Sequence, residues 1–223
     1  MEEFNTFSAS TNEYEKTENI ISITNVKHSA NVKYQLQNES EKAVVLSEPI
    51  GRNTAPAIAV AAKYISQKSK EADPVVLVVP SDHMIKDLAA FKTSVLRGEK
   101  LAKDGYIVTF GIQPSYPETG YGYIEVQRDD VQCTKDIYPV REFKEKPDLE
   151  TAKKYLESGD YLWNSGIFVW SLETICKALD AYLPEVAEIF RKGEGVIGTK
   201  GERAFIEENF PKCPNISVDY GIM

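Results

Sequence analysis

Between residues 19 and 110, short β-branched and apolar runs alternate with longer stretches whose apolar positions recur at helical spacing. This alternation constrains the fold more than any other feature, because strand–helix–strand units bury their apolar faces as a layered α/β sheet. Residues 19–24 (NIISIT) and 43–46 (AVVL) read as strands, separated by a polar, helix-compatible stretch to about Glu41. An alanine-rich helix follows at 54–69, with Pro56 in the first turn, where its missing N–H is not needed. The run 75–79 (VVLVV) is apolar on both faces, as a buried parallel strand should be. A helix at 88–103, with Phe91, Val95 and Leu101 among its apolar positions, leads to a strand at 106–110. The expected fold is α/β, Rossmann-like, with a mixed, mainly parallel sheet flanked by helices.

After Gly111 the pattern is less regular. Strands are expected at 121–126 and 138–144, joined by a polar loop carrying Asp129 and Asp130. A helix at 149–158, a strand at 163–170, and one or two helices over 172–190 broken near Pro184 come next. A glycine-rich loop and a last helical piece at 202–208 complete the chain, which shows no repeat and no interdomain linker. Its 223 residues are expected to form one domain, 1–223.

The 26 Lys and Arg against 34 Asp and Glu give a net charge of −8, which argues against non-specific binding to nucleic acid or anionic membrane. Any bound phosphate must therefore be met by a few placed cations. The apolar runs are far shorter than the ~20 residues of a membrane helix. Three cysteines without a CxxC pair suit reduced thiols in the cytoplasm, and the acidic, polar first residues do not read as a secretory signal. With only His28 and His83, a histidine-built metal centre lacks material, whereas hard-cation binding through carboxylates stays open.

Five segments hold candidate binding groups. In residues 47–62 (SEPIGRNTAPAIAVAA), Asn53 or Thr54 can cap the helix. Alternatively, helix-start N–H groups, the Arg52 fork and the Glu48 carboxylate converge on a small polar ligand. A carboxylate accepts two parallel donors, as the N1–H and 2-amino edge of guanine presents. In 75–85 (VVLVVPSDHMI), Asp82 follows a strand end, where open α/β sheets bind ligands. It suits a hard cation, an Asx turn being the alternative. In 117–125 (PETGYGYIE), Gly122 lets backbone approach a ligand, or serves a turn. In 143–147 (FKEKP), Glu145 and Lys146 would face opposite ways within a strand, but Pro147 ends the strand, so both can turn to one place, two solvated charges at a strand end being the alternative. In 161–170 (YLWNSGIFVW), Asn164 and Gly166 interrupt an apolar strand, which suggests close approach of something polar, or a bulge.

Residues 193–198 (GEGVIG) match GxGxxG, and Asp219 lies roughly where a ribose-binding acid would be. The preceding segment reads as helix rather than strand, so this stretch is expected to be a flexible loop.

Taken in order, the five segments resemble the sugar-nucleotide pyrophosphorylases, and most closely the bacterial mannose-1-phosphate guanylyltransferases. The run Glu48-Pro49-x-Gly51-Arg52-Asn53-Thr54-Ala55-Pro56-Ala57 carries most of the resemblance, with Pro80-Ser81-Asp82-His83, Pro117-Glu118-Thr119-Gly120-Tyr121-Gly122-Tyr123-Ile124, Glu145-Lys146-Pro147, Trp163-Asn164-Ser165-Gly166 and Ser217-Val218-Asp219-Tyr220 in support. The resemblance implies a nucleotidyltransferase fold and the conversion of GTP and mannose 1-phosphate to GDP-mannose and pyrophosphate with Mg²⁺. It places Mg²⁺ at Asp82 and the sugar phosphate at Lys146. Gly122, Glu145, Asn164 and Gly166 fall on the sugar, and Glu48, Arg52, Asn53, Thr54 and Ser81 on the nucleotide. The family's glycine-rich Gly-Gly-x-Gly-x-Arg loop and its later Trp-x-Asp-x-Gly segment have no counterpart here, so little or no transferase activity is expected of these residues as written. A thymidylyl- or uridylyltransferase and a non-catalytic sugar-nucleotide-binding regulator remain open, as does a homo-oligomer.

Overall fold

The computed structural model describes residues 5–8, 19–40, 42–128 and 136–223. The expected loop carrying Asp129 and Asp130 lies outside the described residues. The chain divides into two compact units, Met1–Val108 with Phe168–Ile222, and Thr109–Ile167.

In the first unit, strands β1 (Asn5–Ser8), β2 (Ile20–Asn25), β3 (Val44–Glu48) and β4 (Val75–Pro80) alternate with helices α1 (Ser29–Glu39) and α2 (Thr54–Lys68). Helix α3 (Leu88–Lys103) follows β4. The strand order is β3-β2-β1-β4, and β4 also pairs with the Phe168–Ser171 end of β8 (Tyr161–Ser171). Helices α5 (Leu172–Tyr182), α6 (Pro184–Arg191), α7 (Glu202–Asn209) and α8 (Val218–Gly221) complete this unit.

The mixed α/β architecture is as expected, and its pairing is more antiparallel than the alternation implies. Among the ladders of the described residues whose register is defined, β2–β3 is parallel, while β1–β2, β1–β4, β4–β8, β6–β7 and β6–β8 are antiparallel. The helical crossovers do set β2, β3 and β4 in one direction, as strand–helix–strand connections allow. Strand β1 then lies between β2 and β4 running the other way, and the end of β8 beside β4 is reversed as well. The four-residue Asn-Thr-Phe-Ser run of β1 is too short and polar to announce a strand by itself.

Helix α2 is the centre of the first core. Ala55, Pro56, Ala57, Ile58, Ala59, Val60, Ala61, Ala62 and Ile65 are all buried. A helix buried on nearly every side needs small residues, and it packs against α5, α6 and α8 as well as the sheet. Trp170 (1% exposed), Val76 and Val78 supply the sheet side.

The second unit holds β5 (Val108–Ile112, from Thr109 on), β6 (Tyr123–Val126), β7 (Val140–Lys144), α4 (Leu149–Ser158) and the first part of β8. Strand β6 pairs with β7 on one side and with residues 161–163 on the other. Its core joins Tyr123, Ala152 and Trp163, with Tyr155 stacked on Tyr161 at 3.8 Å. Asp148 caps α4 by accepting from the Thr151 N–H at 2.8 Å.

The GxGxxG stretch is not a flexible loop. The Gln67 side chain donates to the Gly193 carbonyl (3.3 Å) and accepts from the Gly195 N–H (2.9 Å), while Ile197 is fully buried. These turns are held on α2 rather than opening a helix after a strand. No helix among the described residues is long and apolar enough to cross a membrane.

Candidate functional site

The candidate residues fall into two groups, one in each unit. In the first unit, β3 delivers Glu48 opposite Asn25 of β2, and the Glu48 carbonyl accepts from the Val26 N–H at 2.9 Å. Loss of water around its half-buried side chain pushes the Glu48 carboxyl up to about 7. Such a group changes charge near neutral pH, and paired donors arriving at it favour the carboxylate.

Asn53 adopts a left-handed φ of 65° and accepts from the Thr54 N–H at 2.9 Å, capping α2 as expected. The Ala55 N–H donates to the Ile216 carbonyl at 3.1 Å, and Pro56 has no N–H. The first-turn donors of α2 are therefore either taken or missing, which corrects the expectation that helix-start N–H groups reach a ligand. Arg52 is half-buried. Its Nη2 donates to the Pro211 carbonyl at 2.7 Å, and its Nε is buried without a hydrogen-bond partner. The Thr54 hydroxyl accepts from the Val218 N–H at 2.9 Å. Sequence reading missed this returning segment. Its one signal is the Ser217-Val218-Asp219-Tyr220 run, in which Ser217 accepts from the Tyr220 N–H to start α8.

Ser81 and Asp82 lie just past β4, and both are exposed. The Asp82 carboxylate is 4.0 Å from His83 Nε2. No group of three His, Cys, Asp or Glu that could hold a metal occurs among the described residues. Asp82 therefore offers a single hard-oxygen ligand, which fits a cation completed by phosphate oxygens and water.

In the second unit, Gly122, Glu145, Lys146 and Asn164 meet. Strand β7 ends at Lys144, and Lys146 then takes a left-handed φ of 39°. Its N–H donates to the Tyr121 carbonyl at 3.2 Å, and its Nζ lies 3.2 Å from Glu145 Oε1. The two charges thus turn to one place, as Pro147 suggested, by an unusual backbone geometry rather than by strand-end fraying. The Asn164 N–H donates to the Gly122 carbonyl at 2.8 Å, joining β8 to the same turn. A Cβ on Gly122 would stand 2.9 Å from Glu145 Oε2 and 3.6 Å from the Asn164 Cβ, so the glycine serves close packing.

Gly166 has a φ of 67°, and its N–H donates to Asn164 Oδ1 at 3.1 Å. It falls between the part of β8 paired with β6 and the part paired with β4, which gives the glycine a backbone role. Behind the Gly122 turn, Tyr116 and Tyr121 meet Trp163 edge-on at 4.9 and 5.3 Å, an aromatic support that spacing did not reveal.

Comparison with known proteins gives consistent findings. The pattern of the family described as nucleotidyl transferase matches residues 5–195. Mannose-1-phosphate guanylyltransferase RfbM of Salmonella typhimurium is 42% identical over 209 residues, covering 93% of this chain and 43% of the relative. The mannose-1-phosphate guanylyltransferase of Escherichia coli K12 is 41% identical over 214 residues, covering 92% and 44%. The chain thus spans less than half the length of these relatives. The crystal structure of mannose-1-phosphate geranyltransferase from Thermus thermophilus superposes with a TM-score of 0.76 at 27% identity, covering 92% of this chain and 56% of that one.

Proposed function

The chain belongs to the nucleotidyl transferase family, and from that premise we propose that it carries binding groups of a guanylyltransferase joining GTP to mannose 1-phosphate with release of pyrophosphate. The observation that carries the reading is the meeting of Gly122, Glu145, Lys146 and Asn164 at one turn, where an ammonium, a carboxylate and an amide lie together. The identity to RfbM along nearly all of this chain supports it.

In this reaction the sugar phosphate oxygen attacks the α-phosphorus of GTP, and the α–β phosphoanhydride bond breaks to release pyrophosphate. The attacking phosphate is already ionised, so no general base is needed. The demand is to offset repulsion between two anions and hold them in line. Lys146 neutralises the sugar phosphate, and its strained backbone and the bond to Tyr121 fix where the ammonium starts. Glu145 and Asn164 take sugar hydroxyls, and Gly122 leaves room for the Glu145 carboxylate. Glu48 accepts from the paired donors of guanine, while Asn53, Thr54 and Ser81 border the nucleotide. Asp82 would hold a divalent cation, assigned as Mg²⁺ from its preference for one carboxylate plus phosphate oxygens. A bound divalent cation supplies positive charge at the phosphates.

Thermal shift of this chain with GTP, dTTP and UTP, each with and without Mg²⁺, tests the reading. Stabilisation by GTP alone among the three, dependent on Mg²⁺ and lost in Asp82→Asn, is expected. A larger response to dTTP or UTP would replace the guanine assignment with a sister specificity. No response to any nucleotide, with stabilisation by mannose 1-phosphate also absent, would overturn it.

A further inference from the structure

The loop that opens α2 is tied by four hydrogen bonds, at Arg52, Thr54 and Ala55, to one distant stretch of chain. Arg52 Nη2 donates to the Pro211 carbonyl at 2.7 Å, and the Ile216 N–H donates to the Arg52 carbonyl at 3.3 Å. The Ala55 N–H donates to the Ile216 carbonyl at 3.1 Å, and the Val218 N–H to the Thr54 hydroxyl at 2.9 Å. Between these anchors sits Asn53, a non-glycine residue with a φ of 65°. A left-handed backbone of this kind persists only where its surroundings over-determine it, and here both flanks of the strained residue are tied to the same strap. Cys213, 2% exposed, is buried within that strap, so the stretch is packed as well as bonded.

We infer that Arg52 is a positioning residue: it anchors the strap of residues 211–218, which holds Asn53 and Thr54 in the one loop conformation that presents them. The inference deepens the nucleotide reading of this loop and rests on it for what is presented, but not for the strap itself. Arg52 suits the task because its planar fork donates directionally to one carbonyl of the strap, while its own carbonyl oxygen accepts from an N–H further along the same strap. It spends on the strap a donor that a ligand contact would need.

The test is amide hydrogen exchange in the 223-residue chain without ligand, reading Ile216 and Val218, with the α5 amides as an internal measure of global folding. Arg52→Ala is expected to speed exchange at Ile216 and Val218 by about tenfold or more while α5 is unchanged, since local opening is decoupled from global unfolding. Unchanged exchange at both residues would overturn the anchor role. If Arg52→Ala collapses α5 protection as well, Thr54→Val decides. It removes the acceptor of the Val218 N–H at nearly constant volume, and exchange at Val218 and through the loop should rise by about tenfold. Unchanged exchange there would overturn the strap. A GTP titration on the same samples supplies the readout that a merely local structural role would not move. Arg52→Ala with α5 intact should weaken GTP at least about tenfold in step with the loss of strap protection, and full GTP affinity despite that loss would overturn the positioning role. A wild-type chain that ignores GTP counts against the nucleotide reading, and the exchange data still judge the strap.

Discussion

Glu145 Oε2 lies 2.9 Å from the place where a side chain on Gly122 would begin, so the carboxylate occupies space that only glycine leaves open. The contact is with the far end of a flexible side chain. Gly122→Ala should therefore displace the Glu145 carboxylate rather than the backbone. Thermal unfolding is expected to move little, by under about 1 kcal/mol, while affinity for mannose 1-phosphate, measured by calorimetry, falls about tenfold.

Lys146 carries a left-handed φ of 39°, a conformation that is strained for a residue with a Cβ. Glycine adopts that conformation without a Cβ penalty. Lys146→Gly is expected to hold or raise the unfolding temperature, by up to about 2 °C, and to lose sugar-phosphate binding. Lys146→Ala, which keeps the strain, should lose the same binding without the gain in stability. Paired melting curves and sugar-phosphate titrations of the two variants check this, and a clear drop in stability for Lys146→Gly would count against stored strain.

The Glu48 carboxyl is raised from 4.5 to about 7 by burial. Through that window the folded chain binds more protons at this site than the unfolded chain, so its contribution to stability is present at low pH and falls as pH rises from about 4.5 to 7. Glu48→Gln, which cannot ionise, should flatten that slope. With the group partly exposed and screened, the gain at pH 8 is expected to be about 1 kcal/mol. Melting temperatures of both proteins from about pH 4.5 to about pH 8 measure it.

Gln67 bonds to Gly193 and Gly195 and keeps the GxGxxG turns on α2. Gln67→Ala should speed proteolysis or exchange at residues 193–198 by about tenfold with GTP binding unaffected. Wild-type protein should show no thermal shift with NAD, since these turns are packed around buried Ile197.

Much of the architecture is legible in local spacing. Helices α3 and α4 begin and end where their apolar periodicity and flanking residues indicate, and the break at Pro184 separates α5 from α6. The candidate groups around Glu145 could also be found, because Pro147 marks the strand end. Strand direction was not legible: an apolar run such as Val75-Val76-Leu77-Val78-Val79 looks the same whichever way its neighbours point, and β4 has antiparallel partners on both sides.

By itself the sequence determined which stretches become strands and helices and which chemical groups stand at their ends, because side-chain periodicity and capping act over a few residues. Only the tertiary structure decided what those groups touch. Arg52 reads as a fork aimed at a ligand until Pro211, 159 residues later, returns to accept from it. The left-handed turns at Asn53 and Lys146 likewise exist because bonds to distant backbone hold them, and an energy of that kind arises only once remote parts of the chain have met.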